Sequence, residues 1–146
     1  MIGQLLGADI HLSALVQNEV LGPEVAEAEA QALKDFFVRC RIRPPSKGPS
    51  YATALSAVDN ATLALAIRLK AERLLADDRI LRAMAEAQGI RPLGTLGLLL
   101  GVQRRGFLSP EESRRLLDAL VSLHGFRIGI AVYQAALAQI QSRHGI

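Results

Sequence analysis

The segment RLLADDRILRAMAEAQGIRPLGTLGLLLGV, residues 73–102, shows the clearest alternation of strand and helix patterns in this chain. RLLA is a short apolar strand that delivers two aspartates at its carboxyl end. Arg79 to Gln88 then has helical spacing, which Gly89 stops. Ile90 to Leu93 is a second short strand candidate, and the glycine-rich turn at Gly94 begins another helix. Because this alternation is typical of a parallel sheet with crossover connections, it predicts an α/β fold.

The residues before this stretch are mainly helical in pattern. Apolar residues recur at intervals of three and four in two segments, which Gly22 and Pro23 separate. A loop follows in PPSKGPS, since adjacent prolines and a glycine forbid regular pairing. The predicted elements are a helix over 13–21, a helix over 24–36, a less clear strand over 37–42, the loop over 44–50, and a buried helix over 60–70 with Asp59 at its start.

The last third of the chain is predicted to be helical. Ser109, Pro110 and Glu112 form a helix start in which serine is the N-cap and proline the first helical residue. Gly125 ends that helix, and a closing helix is predicted over 128–143. The residues expected to face inward are Leu116, Leu117, Leu120 and Val121 in the first helix, and Ile130, Tyr133, Ala136, Leu137 and Ile140 in the second.

Length and composition indicate one globular domain over residues 1–146, because half of the 146 residues are apolar and 21% are charged. Cys40 is the single cysteine, so no internal disulfide forms and a reducing, cytoplasmic location is expected. The first residues lack the basic region of a signal peptide. The longest apolar run, 96–102, is about a third of the roughly 20 residues that cross a membrane, so no membrane association is expected.

The charges are unevenly distributed. Residues 1–38 carry six acids and one base, whereas residues 39–47 carry four bases and no acid. Fourteen of the seventeen basic residues are arginine, whose planar fork suits phosphate groups. A general bias toward arginine would explain the same count, and the net charge of +3 is too small to prove a nucleic-acid partner.

Carboxylates are the strongest candidates for chemistry. Cys40 has no histidine nearby in sequence, the histidines lack ligand spacing, and no phosphate-binding or hydrolase motif occurs. Asp59, Asp77 and Asp78 all fall at junctions between elements, where open parallel sheets bind ligands. Oxygen ligands gathered there would suit Mg²⁺ or Mn²⁺, which activates water for phosphodiester cleavage. The alternative is that each aspartate caps the helix that follows it.

Two blocks of sequence resemble a known family. VDNATLALAIRLKAERLLADDR, residues 58–79, and GIRPLGTLGLLLGVQRRGFL, residues 89–108, are similar to the PIN-like proteins, in particular a small prokaryotic branch without an assigned function. The similarity is clearest over about the last ninety residues, and residues 10–21 look like the family's second helix. It implies a PIN-like α/β fold with a small parallel sheet flanked by helices and a helix-rich final third.

The resemblance also implies a function. PIN domains are metal-dependent ribonucleases, often the toxin of a toxin–antitoxin pair. By position, Glu19, Asp59 and Asp77 match three acids of the metal and catalytic site, and Asp78 is the less favoured of the adjacent pair. Thr95 matches the small polar residue near the metal, which would be Mg²⁺ or Mn²⁺. Arg79, Arg104 and Arg105 are then candidates for contact with RNA phosphates, and Thr95 is a further candidate for contact with RNA. Exposed arginines on helices often have no such role.

One departure from the family affects the expected activity. The family opens with an apolar strand that ends in an aspartate, the first metal ligand, whereas Met1 here already matches the helix that follows. We therefore expect a central strand to be missing and nuclease activity to be low or absent. The alternative function is a non-enzymatic interaction module that forms a homo-oligomer or binds a protein such as an antitoxin.

Overall fold

A computed structural model describes residues 9–44, 53–123 and 125–142. The chain divides into two compact units, residues 1–93 and residues 94–146. The first unit contains both helices and strands, and the described part of the second is helical. The structure therefore has the α/β class, the small parallel sheets and the helix-rich final third that the sequence predicts.

The first unit alternates short strands with helices. Its elements are β1 (His11–Ser13), α1 (Ala14–Val20), α2 (Glu27–Phe37), β2 (Arg41–Arg43), α3 (Ala57–Arg68), β3 (Arg73–Leu75), α4 (Arg79–Ala87) and β4 (Arg91–Leu93). β1 pairs with β2 and β3 pairs with β4, both in parallel. Among the described residues these are two separate two-stranded sheets. α3 packs against both β1 and β3, so one helix connects the two strand pairs.

The core of the first unit forms around α3. Leu63 and Leu65 are buried, as the nearly uninterrupted apolar sequence predicts. Leu74 of β3 and Leu81 of α4 belong to the same apolar cluster as Leu63, so the strand and both helices share one core. Burial of these side chains is the main stabilising contribution here.

α4 ends as its sequence predicts. Gly89 has φ +77°, a conformation that glycine adopts without a Cβ penalty. The Gly89 N–H donates to the Glu86 carbonyl and the Ile90 N–H donates to the Ala85 carbonyl, both at 2.9 Å. These two bonds satisfy carbonyls at the helix end and turn the chain directly into β4.

The second unit contains three described helices, α5 (Thr95–Arg104), α6 (Pro110–Ser122) and α7 (Ile130–Ser142). Ser109 caps α6 by accepting a hydrogen bond from the Glu112 N–H at 3.0 Å, and Pro110 is the first helical residue, as predicted. Leu99, Leu117, Ala136 and Ile140 form the apolar core of this unit. Among the described helices, none has the length and apolar character required to cross a membrane.

Several predicted boundaries and faces are wrong. Residues 11–13 form β1, so Ser13 caps α1 and does not belong to it. Phe37 ends α2, and the predicted strand over 37–42 is limited to β2. α2 begins at Glu27 because a turn occupies the residues after Pro23. The predicted loop over 44–50 lies outside the described residues except for Pro44.

The inward faces of the last two helices are narrower than predicted. Leu117 is fully buried, but Leu116 is 45% exposed and Val121 is 38% exposed. Ile130, the first residue of α7, is 78% exposed. Helical periodicity therefore locates the buried stripe but overestimates its width.

Candidate functional site: carboxylates and arginines

Asp77 and Asp78 follow the carboxyl end of β3, as the sequence predicts. Both side chains are exposed. Asp78 is the N-cap of α4, and its Oδ1 accepts a hydrogen bond from the Leu81 N–H at 2.8 Å. This bond satisfies one of the amides that a helix start leaves without a partner. Of the two roles considered for Asp78, metal ligand and helix cap, the capping role is therefore observed.

Asp59 is not the N-cap of its helix. Ser56 has that role, and its Oγ accepts a hydrogen bond from the Asp59 N–H at 3.1 Å. Asp59 is instead half-buried in the first turn of α3, where a negative charge is favourable near the amide-rich helix end. The alternative role considered for Asp59, capping of α3, is therefore wrong, because Ser56, three residues earlier, is the cap.

Glu19 is exposed near the carboxyl end of α1. A negative charge has no favourable interaction with that end of a helix, where the backbone carbonyls concentrate negative potential. The position of Glu19 is therefore not explained by helix stabilisation.

The described residues do not assemble a three-ligand metal centre. All fourteen acids of the chain lie within residues 9–44, 53–123 and 125–142. In these ranges no three side chains of the histidine, cysteine, aspartate and glutamate types are grouped so that they would hold a metal ion. The carboxylates as placed do not fit the divalent ion that the resemblance implies. The assignment of metal ligation to Glu19, Asp59, Asp77 and Asp78 therefore stays a prediction from the sequence.

The predicted RNA-contacting residues belong to both units. Arg79 is the exposed first residue of α4 in the first unit. Thr95 is the half-buried first residue of α5 in the second unit, and Arg104 and Arg105 are exposed at the other end of that helix. The predicted contact residues of the second unit therefore lie at opposite ends of a ten-residue helix.

The strands carry further arginines, of which Arg41 and Arg43 belong to the basic segment 39–47 and Arg73 and Arg91 were not singled out by the sequence pattern. Arg73 on β3 is in register with Arg91 on β4, and both side chains are exposed. On β2, Arg41 forms an exposed ion pair with Asp9 at 3.5 Å, and the Arg43 Nε donates to the His11 Nδ1 at 3.3 Å. The sequence predicts strands at 73–76 and 90–93 but not their register, and only the register brings Arg73 beside Arg91.

Cys40 does not have the properties of a nucleophile. Burial raises the pKa of its thiol, so less thiolate forms near neutral pH. Its Sγ also donates to the Phe36 carbonyl at 3.5 Å. These observations agree with the choice of carboxylates over cysteine as the candidate chemistry.

Comparison with known families shows a match over nearly the whole chain. A family model designated DUF3368 and described as a PIN domain matches residues 3–142, which span both units. No significant match to a curated protein or to a solved structure is found.

Proposed function

The chain belongs to the PIN-domain family, which has a nuclease-type fold, and from this premise we propose that it binds RNA and cleaves it weakly or not at all. The weak or absent cleavage rests on one observation: among the described residues no three metal-binding side chains are grouped, and Asp78, one of the predicted ligands, caps α4. A carboxylate that accepts a backbone hydrogen bond has less capacity to coordinate a cation. The same fold then retains a surface for RNA without an efficient centre for hydrolysis.

The composition of charged groups supports RNA as the ligand. Arginine provides fourteen of the seventeen basic residues, and it forms two parallel hydrogen bonds with phosphate oxygens. Within the part of the chain that the structure describes, Arg73, Arg79 and Arg91 are exposed and form no ion pair with a carboxylate. Their charges are therefore not neutralised by direct contact. Exposed arginines of this kind would attract the phosphate backbone of RNA with little dependence on its base sequence.

The test is cleavage of a labelled single-stranded RNA in Mn²⁺, with Asp77→Asn and Asp78→Asn compared with the unmodified chain. Asn caps a helix about as well as Asp, so Asp78→Asn keeps the fold while it removes a charge. We expect the RNA to stay intact, or to be cut at the same low rate by all three proteins. The proposal would be contradicted by rapid cleavage that depends on Mn²⁺. Such cleavage would stop when EDTA is added and would be lost in Asp77→Asn.

A second candidate function is binding of another protein, either a second copy of the chain or a partner of the antitoxin type. The observation that favours it is the separation of the two strand pairs in the first unit. Among the described residues β1 pairs only with β2 and β3 only with β4, so each pair presents backbone groups at its outer edges. Unpaired strand edges are common sites of association between chains.

Light scattering on the purified chain tests this second candidate. A dimer that dissociates when a charged residue replaces a strand-edge residue, for example Leu12→Lys on β1, would support it. If the chain is a monomer at all concentrations tested, self-association is excluded. Affinity capture with the full chain would then decide whether a different protein binds.

A further inference from the structure

One face of the β3–β4 pair carries two arginines side by side. The register pairs Arg73 with Arg91, Leu74 with Pro92 and Leu75 with Leu93. Successive side chains of a strand point to opposite faces, and residues in register on neighbouring strands point to the same face. Leu74 is buried in the core of the first unit. Arg73 and Arg91 therefore lie together on the face that turns away from this core.

This arrangement costs stability. Like charges directly opposite each other on neighbouring strands repel, whereas an opposite-charge pair at the same place would stabilise the sheet. Within residues 9–44, 53–123 and 125–142, neither arginine forms an ion pair or a side-chain hydrogen bond. Glu72 is adjacent in sequence and exposed, and it contacts β4 through its backbone carbonyl, which accepts a hydrogen bond from the Arg91 N–H at 3.2 Å.

Solubility alone does not account for the pair. An exposed strand face is kept soluble equally well by one basic and one acidic residue, and that combination would also strengthen β3–β4. Two arginines in register concentrate positive charge and planar hydrogen-bond donors at one point. An anionic ligand would remove the repulsion and use both guanidinium groups.

We propose that Arg73 and Arg91 together bind the phosphate backbone of RNA on the outer face of β3–β4. This inference rests on the RNA binding proposed above and assigns it a site. Neighbouring strands are about 4.8 Å apart, so two long arginine side chains would reach one phosphate or two consecutive ones. Leu75, which is 44% exposed, and Leu93 continue the same face and offer apolar contact to sugars or bases. No aromatic ring lies on these strands, so little base preference is expected.

The proposed phosphate site is at the opposite end of β3 from the aspartates. Arg73 begins the strand, whereas Asp77 and Asp78 follow its end. A strand rises about 3.3 Å per residue, which places the Cα atoms of Arg73 and Asp77 up to ~13 Å apart. The arginines therefore form a binding site separate from the predicted metal ligands, and its loss is separable from any loss of cleavage.

Fluorescence anisotropy of a labelled single-stranded RNA, measured in EDTA at several salt concentrations, tests the proposal on the full chain. We expect the double variant Arg73→Ala/Arg91→Ala to bind roughly tenfold more weakly, with a smaller salt dependence, since each phosphate contact to single strands contributes about 0.7 to the slope. Arg114→Ala/Arg115→Ala is the matched control. It removes the same charge from two adjacent exposed arginines on α6, and we expect a much smaller effect.

Arg73→Glu separates binding from folding. It places an acid opposite Arg91, so we expect the melting temperature to stay the same or rise while RNA affinity falls. A structural role for Arg73 would change both in the same direction. Unchanged affinity in this variant and in the double variant, with the unmodified chain binding RNA, would overturn the proposed site alone.

Three other outcomes also decide the matter. An equal loss of affinity in the α6 control would show that net charge alone matters and would overturn the site. Failure of the unmodified chain to bind RNA would contradict the proposed function as well. The chain could also bind polyglutamate but not RNA, and lose that binding when Arg73 and Arg91 are replaced. This result would identify a carboxylate-bearing protein as the ligand and overturn the assignment to RNA.

Discussion

The two units of this chain differ in secondary structure, although each has an apolar core. The first, residues 1–93, alternates three-residue strands with helices and buries α3 at its centre. The described part of the second is built from α5, α6 and α7 around a small apolar core. Every strand of the described structure and all four predicted metal ligands belong to the first unit. The predicted metal ligands are therefore concentrated in the unit whose strands are only three residues long.

A unit that alternates short strands with helices has many junctions between elements. It therefore places more polar side chains at such junctions than a unit of long helices does. β1, β3 and β4 are each followed within a few residues by the start of a helix. Polar side chains at such junctions have competing uses, because the same carboxylate suits a helix cap or a cation. In the first unit, the Asp78 carboxylate is used as a helix cap. In the second, Ser109 also caps a helix, but its hydroxyl was not a predicted metal ligand.

The largest expected effect is loss of core packing. Leu117 is fully buried in the second unit and Leu63 is fully buried in the first. Replacement of either by alanine removes buried methyl groups and leaves a cavity, so each change should lower the free energy of unfolding by roughly 2–5 kcal/mol. Urea denaturation followed by circular dichroism measures the loss.

Leu116→Ala is the matched control for Leu117→Ala. The two leucines are adjacent on α6, but Leu116 is 45% exposed. We expect Leu116→Ala to change the free energy of unfolding by less than about 1 kcal/mol. Equal losses for the two variants would contradict the buried face assigned to α6.

The next largest effect is loss of a helix cap. Asp78→Ala and Ser109→Ala each remove the side-chain oxygen that caps α4 or α6, and each should cost about 1 kcal/mol of stability. Thermal unfolding of the two variants measures the cost in each unit. Asp78→Asn keeps the cap and should be nearly neutral. A loss in Asp78→Asn as large as that in Asp78→Ala would show that its charge matters more than its hydrogen bond.

The smallest effect concerns the contact between α6 and α7 at high pH. The Tyr133 hydroxyl donates a hydrogen bond to Asp118, and this bond raises the pKa of the phenol above its ordinary value. A raised pKa means that the neutral phenol is favoured in the folded state. Its stabilising contribution is therefore fully present below the ordinary tyrosine pKa and is lost as the pH rises through the raised value.

Comparison with Tyr133→Phe isolates this contribution. The stability difference between the unmodified chain and Tyr133→Phe should be constant at neutral pH and should shrink in the alkaline range. Unfolding curves at a series of pH values measure it. A difference that grows with pH would mean that the folded state favours the ionised phenol, which a raised pKa forbids.

Sequence patterns predicted those parts of the fold that depend on local interactions. Gly89 ends α4, Ser109 begins α6, and the apolar run in α3 is buried, because capping bonds and continuous burial involve neighbouring residues. The strand at residues 11–13 was missed because three residues are too few to show an alternating pattern. The exposed Ile130 was missed because periodicity does not show where packing ends.

The candidate site was less predictable because it depends on distant parts of the chain. The LLADD run predicted that aspartates follow β3, and the structure agrees. Which aspartate caps α4 depends on one hydrogen bond, which the sequence does not determine. The pairing of Arg73 with Arg91 depends on strand register, and register is set by the packing of both strands against the core.

Recovery of RNA from its complex with this chain measures binding and cleavage in one experiment. A labelled single-stranded RNA is saturated with protein in Mn²⁺, incubated, and separated on a denaturing gel, while anisotropy confirms that it was bound. RNA binding without appreciable cleavage predicts salt-sensitive binding and full-length RNA on the gel. Absence of binding, or Mn²⁺-dependent fragments that disappear with Asp77→Asn, would contradict it.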